Sequence, residues 1–346
     1  MGILINSFRS SKILYYLSTK LVGFPKKDKN YNNFFNGYAK QNYKWIKNPC
    51  LCRQKSVDIL ISEIDRHYVN FPVVLCKACG LVRAEKYLRN KDVNHFYKYI
   101  YRTKLYSGST HTASPNNLFK KQLRSTRHAH EIISKYQNNK KKLKIVDVGG
   151  GVGGILELFD KHNELYLCDF YKPYLNFAKK KSFNVIEGGI NKINFKPDII
   201  ILSHVIEHWN NFDLEIKRLI KIQKKNCTLN YIEFPGIDSL QKGRRQGDIL
   251  GDIHVPHVYY FQTKVFENLM NRYGFKKIYM NSFIRGVFIY TGKKKKLKNY
   301  YKTVCNDIFN AEKFRIKQIF INFLKIFVPT VFIKQIRKIK DNSIEY

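Results

Sequence analysis

The sequence is poor in acidic residues: 26 Asp and Glu accompany 63 Lys and Arg among 346 residues, a formal net charge of +37. It lacks the run of ~20 apolar residues that a transmembrane helix needs. Its N-terminus lacks the apolar region and small-residue cleavage site of a signal peptide. No fixed period recurs, which excludes collagen, coiled-coil arrays and short solenoid repeats. We therefore expect a cytoplasmic protein of about two domains.

Cysteine is also scarce, because seven residues are too few for a disulfide scaffold in a chain of this length. Four of them form two close pairs, Cys50-Leu-Cys52 and Cys76-Lys-Ala-Cys79. In a reducing compartment such pairs indicate a metal before a disulfide, and structural zinc takes four ligands from two pairs of this kind. We predict Zn²⁺ at Cys50, Cys52, Cys76 and Cys79. The first pair is one residue closer than usual, so the alternative is a degenerate module whose cysteines only pack.

The basic excess is typical of proteins that bind nucleic acid or anionic membranes. Here the lysines are dispersed, with short runs at Lys140–Lys142, Lys179–Lys181 and Lys293–Lys296. They accompany abundant Asn, Ile, Tyr and Phe, the residues that AT-rich codons favour. We therefore interpret most of the charge as a solvated surface. The 44% hydrophobic fraction is sufficient for a folded core.

From Leu143 onward the pattern alternates between short apolar strands and helices of roughly ten residues. The predicted order is strand 144–148, helix 153–161, strand 165–169, helix 173–180, strand 184–187, strand 198–203, helix 212–222, strand 228–234, helix 262–273, and a hairpin of 275–281 with 285–291. Strands separated by helices produce βαβ units. We predict an α/β, Rossmann-like, doubly wound, mainly parallel seven-stranded sheet with an antiparallel closing hairpin, preceded by a small zinc-binding module.

Upstream of the alternating region the pattern is less regular. We expect irregular or short helical structure in residues 1–45, short strands between Val57 and Val74, an aromatic helix from Leu88 to Tyr106, a linker at 107–117 and a basic amphipathic helix over 118–136.

A glycine-rich segment follows the first strand of the alternating region, Val146-Asp-Val-Gly-Gly-Gly-Val-Gly-Gly154. Such a turn lets the backbone approach a ligand closely at the N-terminus of the next helix. Gly149, Gly151 and Gly154 satisfy the dinucleotide pattern G-x-G-x-x-G, with Asp169 twenty residues after Gly149. The same glycines, with an acidic residue two positions before them, fit S-adenosylmethionine (SAM). The glycines alone therefore leave the cofactor open.

Three later segments distinguish the two cofactors: 201–209 (ILSHVIEHW), 231–240 (YIEFPGIDSL) and 257–275 (HVYYFQTKVFENLMNRYGF). Their order resembles the class I SAM-dependent methyltransferases, in particular the branch found in bacterial surface-glycan and antibiotic-sugar gene clusters. The second cysteine pair and the following HFYKYIYR resemble the zinc module of that branch, so the likeness runs from about residue 50 to 292. It implies methyl transfer to a sugar hydroxyl, on a nucleotide-linked or lipid-linked acceptor, in surface-polysaccharide synthesis.

The resemblance also implies a SAM site. Its cofactor-binding residues would be Asp147, Gly149, Gly151, Gly153, Asp169, Phe170, Gly189, Ile190, Ser203 and His204. The glycines would surround the amino-acid portion and sulfonium, Asp169 would bind the ribose, and Phe170 would pack against the adenine. Members often have an acidic residue at the position of Gly189, so backbone groups of Gly189 and Ile190 would replace it here.

Histidines are concentrated on the predicted substrate side, at His204, His208, His254 and His257. Imidazole titrates near neutral pH and commonly takes a proton from an attacking hydroxyl. We predict His208, which follows Glu207, as the general base, with His257 second. The alternative is that these histidines are structural. The segment also matches the H-x-x-E-H zinc-protease signature, but it begins at the end of a buried strand, which disfavours that function.

We divide the chain into a basic N-terminal segment (1–45), a zinc-binding module with the aromatic helix (46–106), a linker and helix (107–142), a methyltransferase domain (143–292) and a basic apolar extension (293–346). The end of the extension, Ile316–Lys340, is apolar between lysines and contains Pro329. It predicts either peripheral contact with anionic lipid at the inner face of the membrane or a helix docked on the core.

Three other functions compete with sugar O-methylation. A nucleic-acid (RNA) methyltransferase would use the basic surface, and its binding would weaken steeply with salt. A membrane-associated scaffold with a methyltransferase fold would have lost activity. A dinucleotide-dependent oxidoreductase would bind NAD, so the cofactor distinguishes it from the others.

Overall fold

A computed structural model describes residues 28–97, 99–100, 114–137 and 142–327. Within these ranges the strands are β1 Trp45–Lys47, β2 Asp58–Ile64, β3 Asn70–Cys76, β4 Val82–Ala84, β5 Lys86–Leu88, β6 Lys144–Val148, β7 Glu164–Asp169, β8 Asn184–Glu187, β9 Ile199–Ser203, β10 Leu229–Glu233, β11 Tyr259–Tyr260, β12 Phe275–Met280 and β13 Arg285–Tyr290. The α-helices are α1 Lys29–Asn33, α2 Ala39–Asn42, α3 Asn90–His95, α4 Pro115–Ser125, α5 Arg127–Tyr136, α6 Lys172–Lys180, α7 Phe212–Lys221, α8 Thr263–Arg272 and α9 Tyr301–Phe327.

The largest sheet has seven strands in the order β12-β13-β10-β9-β6-β7-β8. The strands from β8 to β10 are parallel, and β13 is antiparallel to both β10 and β12. The predicted doubly wound sheet with a closing hairpin is therefore confirmed. The chain passes from β6 outward to β8 and then returns to β9 on the other side of β6. In such sheets ligands bind outside the carboxyl ends of the strands at this switch point.

The central strands are apolar throughout because both faces of the sheet are covered. In β9, Ile199 and Ile201 pack in one hydrophobic cluster, whereas Ile200 and Leu202 pack in the other. All four side chains are buried. Successive side chains of a strand point to opposite faces, so a continuous apolar run is what a parallel strand between two layers requires.

The cysteine-containing region forms a second, four-stranded sheet in the order β11-β4-β3-β2. The strands predicted between Val57 and Val74 are present as β2 and β3. The edge strand β11 comes from a much later part of the chain, where Tyr259 and Tyr260 pair with Arg83 and Val82 of β4. The cysteine region and the segment that carries His254 and His257 are therefore joined by backbone hydrogen bonds.

The predicted helix over 153–161 is wrong. Only a 3-10 turn, Leu156–Leu158, forms there. Gly151 and Gly153 have left-handed φ values of 65° and 77°, which interrupt an α-helix before it can begin. Phe159 is extended at φ −85° and ψ 150° and ends the turn. The glycine loop is therefore a run of turns and lacks the helix N-terminus that the sequence suggested.

Two further helix predictions need correction. The aromatic helix predicted from Leu88 begins two residues later, with α3 at Asn90, because Leu88 pairs with Trp45 as part of β5. Residues 96–97 and 99–100 continue it as a π-helix, and residues 101–106 lie outside the described residues. The helix over 118–136 is two helices separated at Thr126, whose hydroxyl donates to the Gln122 carbonyl at 2.7 Å. Its start includes Pro115, which the sequence assigned to a linker.

The C-terminal extension forms the long helix α9 up to Phe327, and residues 328–340 of the predicted amphipathic segment lie outside the described residues. Among the helices that the structure describes, none combines the length and apolar character needed to cross a bilayer.

Candidate active site

The glycine loop begins where β6 ends, at the carboxyl edge of the sheet. Gly149, Gly151 and Gly153 have φ values of 68°, 65° and 77°, a region that L-residues with a side chain rarely adopt. The Gly149 amide donates to the Cys168 carbonyl at 2.7 Å, which ties the loop to β7. A Cβ atom on Gly150 would lie 2.0 Å from Asp147 Oδ2, so the loop closes directly over that carboxylate.

Asp169, the last residue of β7, faces the same loop. Its Oδ2 accepts from the Gly151 amide at 2.9 Å and its Oδ1 from the Tyr171 amide at 2.9 Å. The carboxylate of Asp169, predicted from the resemblance to bind ribose, therefore lies beside the glycine loop. The two hydrogen bonds fix its orientation.

Asp147 is almost completely buried, at 3% exposure. Burial, with the nearby charge of Asp169 as a second cause, raises the pKa of Asp147 to about 8. A carboxylate that is costly to bury suits a ligand that brings positive charge or N–H groups. The amino and sulfonium groups of SAM meet that requirement, so the residues present fit this cofactor.

The raised pKa of Asp147 predicts that the free energy of unfolding depends on pH. Because its pKa is raised from 3.8 to about 8 on folding, the stability linked to its protonated form is complete at low pH and is lost as the pH rises towards 8. The free energy of unfolding should fall by up to about 1.4 kcal/mol per pH unit between pH 4 and 8 from this group. Asp147→Asn should remove that slope and be more stable than the wild type at pH 8.

Urea unfolding at pH 5, 6, 7 and 8 measures this effect, with exposed Asp160→Asn as the control. Parallel stability profiles for the wild type and Asp147→Asn would contradict the buried-carboxylate interpretation.

The predicted adenine side is formed by Phe170, Gly189 and Ile190. The Phe170 ring is 63% exposed, and a Cβ on Gly189 would come within 3.2 Å of its Cζ atom. An acidic side chain at 189 would therefore press against Phe170. Ile190 is 2% exposed, with its side chain in the core, so its backbone is the part that remains for a ligand.

The end of β9 meets the glycine loop. A Cβ on Gly149 would lie 2.9 Å from Val205 Cγ2, which places the segment after Ser203 directly against the loop. His204 has a left-handed φ of 56°, and its amide donates to the Glu233 carbonyl at 2.7 Å. Strained residues of this kind concentrate at functional sites. The predicted cofactor residues Ser203 and His204 thus share one corner with the glycines.

Three predicted residues form a compact acid–imidazole group beyond this corner. His208 Nε2 lies 3.9 Å from Glu207 Oε1, and the rings of His208 and His257 are 4.7 Å apart. Glu207 is 2% exposed; its Oε1 contacts His204 Nδ1 at 3.2 Å, and its Oε2 has no partner among the described residues. Desolvation opposes charge on His204, but the Glu207 carboxylate outweighs it and raises the pKa of His204.

The tautomer of His208 follows from its partners. Its Nδ1 lies 2.8 Å from the Pro256 carbonyl oxygen and 3.0 Å from the Tyr97 hydroxyl. A carbonyl can only accept, so Nδ1 carries a proton, and Nε2 is the ring nitrogen that can take part in proton transfer. Burial, together with neighbouring imidazoles, lowers the pKa of His254 and of His257 well below the usual range. The Nε2 atom of His208 lies beside the buried carboxylate of Glu207.

Three residues of this region carry no recognisable signal in the sequence. Gln122 of α4 spans the glycine loop, donating to the Gly150 carbonyl at 3.1 Å and accepting from the Gly154 amide at 3.2 Å. Tyr97 supports His208 from the cysteine region. Glu233, at the end of β10, pairs with His128 and Arg285, each at 2.8 Å. Each is an ordinary polar residue in sequence and acquires its position only through long-range packing.

The four paired cysteines converge on one point, although 24 residues separate Cys52 from Cys76. The Sγ atoms of Cys50 and Cys79 are 3.5 Å apart, and those of Cys52 and Cys76 are 3.8 Å apart. A tetrahedral zinc ion with Zn–S bonds of about 2.3 Å would require S–S separations of roughly 3.8 Å. Bonds from Cys50 and Cys79 hold the pKa of Cys76 well below its usual range. The short Cys50–Cys52 spacing thus does not prevent convergence.

Comparison with known proteins identifies the class of protein to which this site belongs. Residues 119–279 match the family model described as a methyltransferase domain, whereas no curated protein matches the chain. The magnesium protoporphyrin IX methyltransferase ChlM from Synechocystis PCC 6803 with bound S-adenosylhomocysteine shares 14% identity, covering 58% of this chain and 98% of that chain with a TM-score of 0.41. The plantazolicin methyltransferase BamL shares 16%, covering 66% and 90% with a TM-score of 0.39.

A third solved structure, the PH0226 protein from Pyrococcus horikoshii OT3, shares 18% identity over 50% of this chain and 90% of that chain, with a TM-score of 0.38. Because these TM-scores are low, the assignment depends on the family model. The chain carries a class I SAM-dependent methyltransferase domain. The protein is therefore an enzyme, and SAM is the cofactor that its methyltransferase domain supports.

Proposed function

We propose that this enzyme transfers the methyl group of SAM to a hydroxyl of a sugar in surface-glycan biosynthesis. The observation that carries the proposal is the geometry of His208, whose Nδ1 is engaged by the Pro256 carbonyl and whose Nε2 faces buried Glu207 at 3.9 Å. Hydroxyl groups of sugars are poor nucleophiles at neutral pH, and their methylation needs a base at the moment of attack. The acceptor class, a nucleotide-linked or lipid-linked sugar, follows from the sequence resemblance.

SAM supplies a methyl group on a positively charged sulfur. In the proposed site Asp147 would hold the amino-acid end of the cofactor, and Asp169 would accept from its ribose hydroxyls. Phe170 would pack against the adenine with backbone groups of Gly189 and Ile190, and Ser203 and His204 would close the side towards the acceptor. Positioning of this kind converts a bimolecular displacement into an aligned intramolecular one.

Bound SAM would supply the methyl group, and S-adenosylhomocysteine would leave with the electron pair of the broken C–S bond. His208 Nε2 would accept the proton of the acceptor hydroxyl, and Glu207, 3.9 Å away, would stabilise the positive charge of the ring. The Pro256 carbonyl and Tyr97 fix the ring orientation through Nδ1. His257 stacks edge-on against His208 and remains neutral, so it shapes the site and is the second candidate for the base.

We also propose that Cys50, Cys52, Cys76 and Cys79 hold a structural zinc ion. Their thiol separations support this, as do the short contacts of Ser56 Oγ and the Gln54 amide with Cys76 and Cys52, at 3.3 and 3.4 Å. Hydrogen bonds to ligand sulfurs are the usual outer support of such a site. The ion would fix the cysteine end of the sheet β11-β4-β3-β2, in which β4 pairs with β11.

Ligand-dependent thermal unfolding tests the cofactor site. S-adenosylhomocysteine at about 100 times its Kd should raise the Tm by about 5–10 °C, because it binds only the folded state. NAD at the same concentration should give no shift. Asp169→Ala should abolish the response to S-adenosylhomocysteine, whereas exposed Asp160→Ala should retain it. A shift with NAD alone would overturn the proposal.

The acceptor is tested with radiolabelled SAM and three acceptor classes: nucleotide-linked sugars, lipid-linked sugars and RNA. The proposal expects label in a sugar fraction. Label in RNA, lost as salt is raised, would instead support the nucleic-acid alternative that the net charge of +37 suggests.

A further inference from the structure

One face of the long helix α9 packs against the rest of the protein. Val304, Ile308, Ala311 and Ile319 are buried between 0% and 7% exposure. Both acidic residues of the helix also turn inward. Asp307 accepts from Gln241 and Gln262, and buried Glu312 pairs with buried Arg315. Through this face α9 packs on the 3-10 turns that follow β10, and both acidic side chains of the helix are engaged there.

The opposite face has a different composition. Its exposed residues are Lys302, Asn306, Phe309, Asn310, Lys313, Lys317, Phe320, Phe323, Leu324 and Lys325. Four are lysines, four are large apolar residues and none is acidic. The spacing from Phe309 through Lys313 and Lys317 to Phe320 and Leu324 keeps these residues on one side of the helix. Within the described residues, α9 therefore presents a continuous basic and apolar stripe.

The apolar part of the stripe lies near the end of the described part of α9. Among the described side chains of this helix Ile319 is the last buried one, and Asn322 donates to Gln246 at 3.1 Å. Phe320, Phe323 and Leu324 are exposed at 62%, 39% and 46%. Large apolar side chains as exposed as Phe320 and Leu324 carry a free-energy cost in water, which favours a partner that covers them.

We propose that this stripe binds the surface of an anionic membrane, with α9 lying along the interface. The Phe and Leu side chains would enter the boundary between headgroups and acyl chains, and the lysines would contact the anionic headgroups. Charge disfavours two other occupants of the stripe, the N-terminal segment of the same chain and a second copy of the protein. Residues 1–27 contain five Lys and Arg and no acidic residue, and a second copy would place the same lysines against each other. The inference does not depend on the identity of the acceptor.

Co-sedimentation with vesicles tests the proposal, using phosphatidylcholine alone and phosphatidylcholine with phosphatidylglycerol. The wild type should bind the anionic vesicles at least 10-fold more tightly. A Phe320→Ser, Phe323→Ser, Leu324→Ser variant and a Lys313→Glu, Lys317→Glu variant should each lose at least 10-fold. A Lys179→Glu, Lys180→Glu variant on α6, with the same charge change on two exposed lysines, should stay within 2-fold.

The thermal response to S-adenosylhomocysteine, measured for each variant, separates this result from the cofactor site and from misfolding. Equal binding to both vesicle types, or unchanged binding by the serine variant while that response is intact, would overturn the proposal. So would a protein that ignores vesicles but binds RNA through Lys313 and Lys317. Concentration-dependent dimerisation that the serine variant abolishes, without vesicle binding, would likewise assign the stripe to a second copy.

Discussion

Cys76→Ser is expected to release bound zinc and to lower the free energy of unfolding by more than about 4 kcal/mol, because the metal is bound only in the folded state. Cys76 ends β3, and its thiol contacts Cys52 across the cluster. Loss of one ligand leaves three thiols in a buried space with no ion to coordinate. The sheet β11-β4-β3-β2 should then loosen from its cysteine end.

The measurement combines metal content by mass spectrometry with urea unfolding. Cys227→Ser is the matched control, because Cys227 is exposed and lies outside the cysteine group. A chelator should reproduce the effect of Cys76→Ser on the wild type. The alternative is a degenerate module whose cysteines only pack. It would be supported if the purified wild type holds no metal and Cys76→Ser has the same free energy of unfolding as Cys227→Ser.

The zinc prediction extends to catalysis through β11. Tyr259 and Tyr260 pair with β4, and His257 lies two residues before this strand. Tyr97, which contacts His208, follows β5 and α3 in the chain, downstream of the four cysteines. Zinc loss should therefore reduce methyl transfer while the response to S-adenosylhomocysteine is largely retained, since the glycine loop follows β6 of the other sheet.

His208→Ala is expected to reduce kcat by about 10²–10⁴-fold, the usual contribution of a positioned general base. The cofactor site should be unaffected, because Asp147, Asp169 and the glycines do not contact this ring in the structure. The Tm increase with S-adenosylhomocysteine should therefore equal that of the wild type. His162→Ala, at an exposed histidine paired with Asp160, is the matched control.

The pH profile distinguishes a base from a structural histidine. A general base loses activity below its own pKa, so the acidic limb of the kcat profile should disappear in His208→Ala and remain in His162→Ala. His257→Ala should lower kcat less and keep the limb. A His208→Ala variant with normal kcat would transfer the role of base to His257 or remove histidine from the reaction.

The sequence by itself determined the main sheet and the class of enzyme. Continuous apolar strands such as Ile199–Ser203 can satisfy their side chains only between two covering layers, which is why the parallel sheet could be predicted. The local backbone of the loop requires particular residue types at Asp147, at the glycines and at Asp169, so these positions can be recognised as a sequence motif. The cysteine spacing predicted a cluster for the same reason, since short loops hold ligand pairs together.

Tertiary structure decided the rest. The expected helix after the glycine loop is absent because left-handed glycines interrupt it, and Gln122 from a helix before the sheet occupies that place. Tyr97 contacts His208 across 111 residues of sequence, and β11, which follows β10 in the chain, joins the cysteine sheet. Such contacts depend on the packing of whole elements, whose energy is shared by many apolar side chains and has no local pattern. The sequence therefore determines which chemistry is present, and the fold decides which side chains meet to perform it.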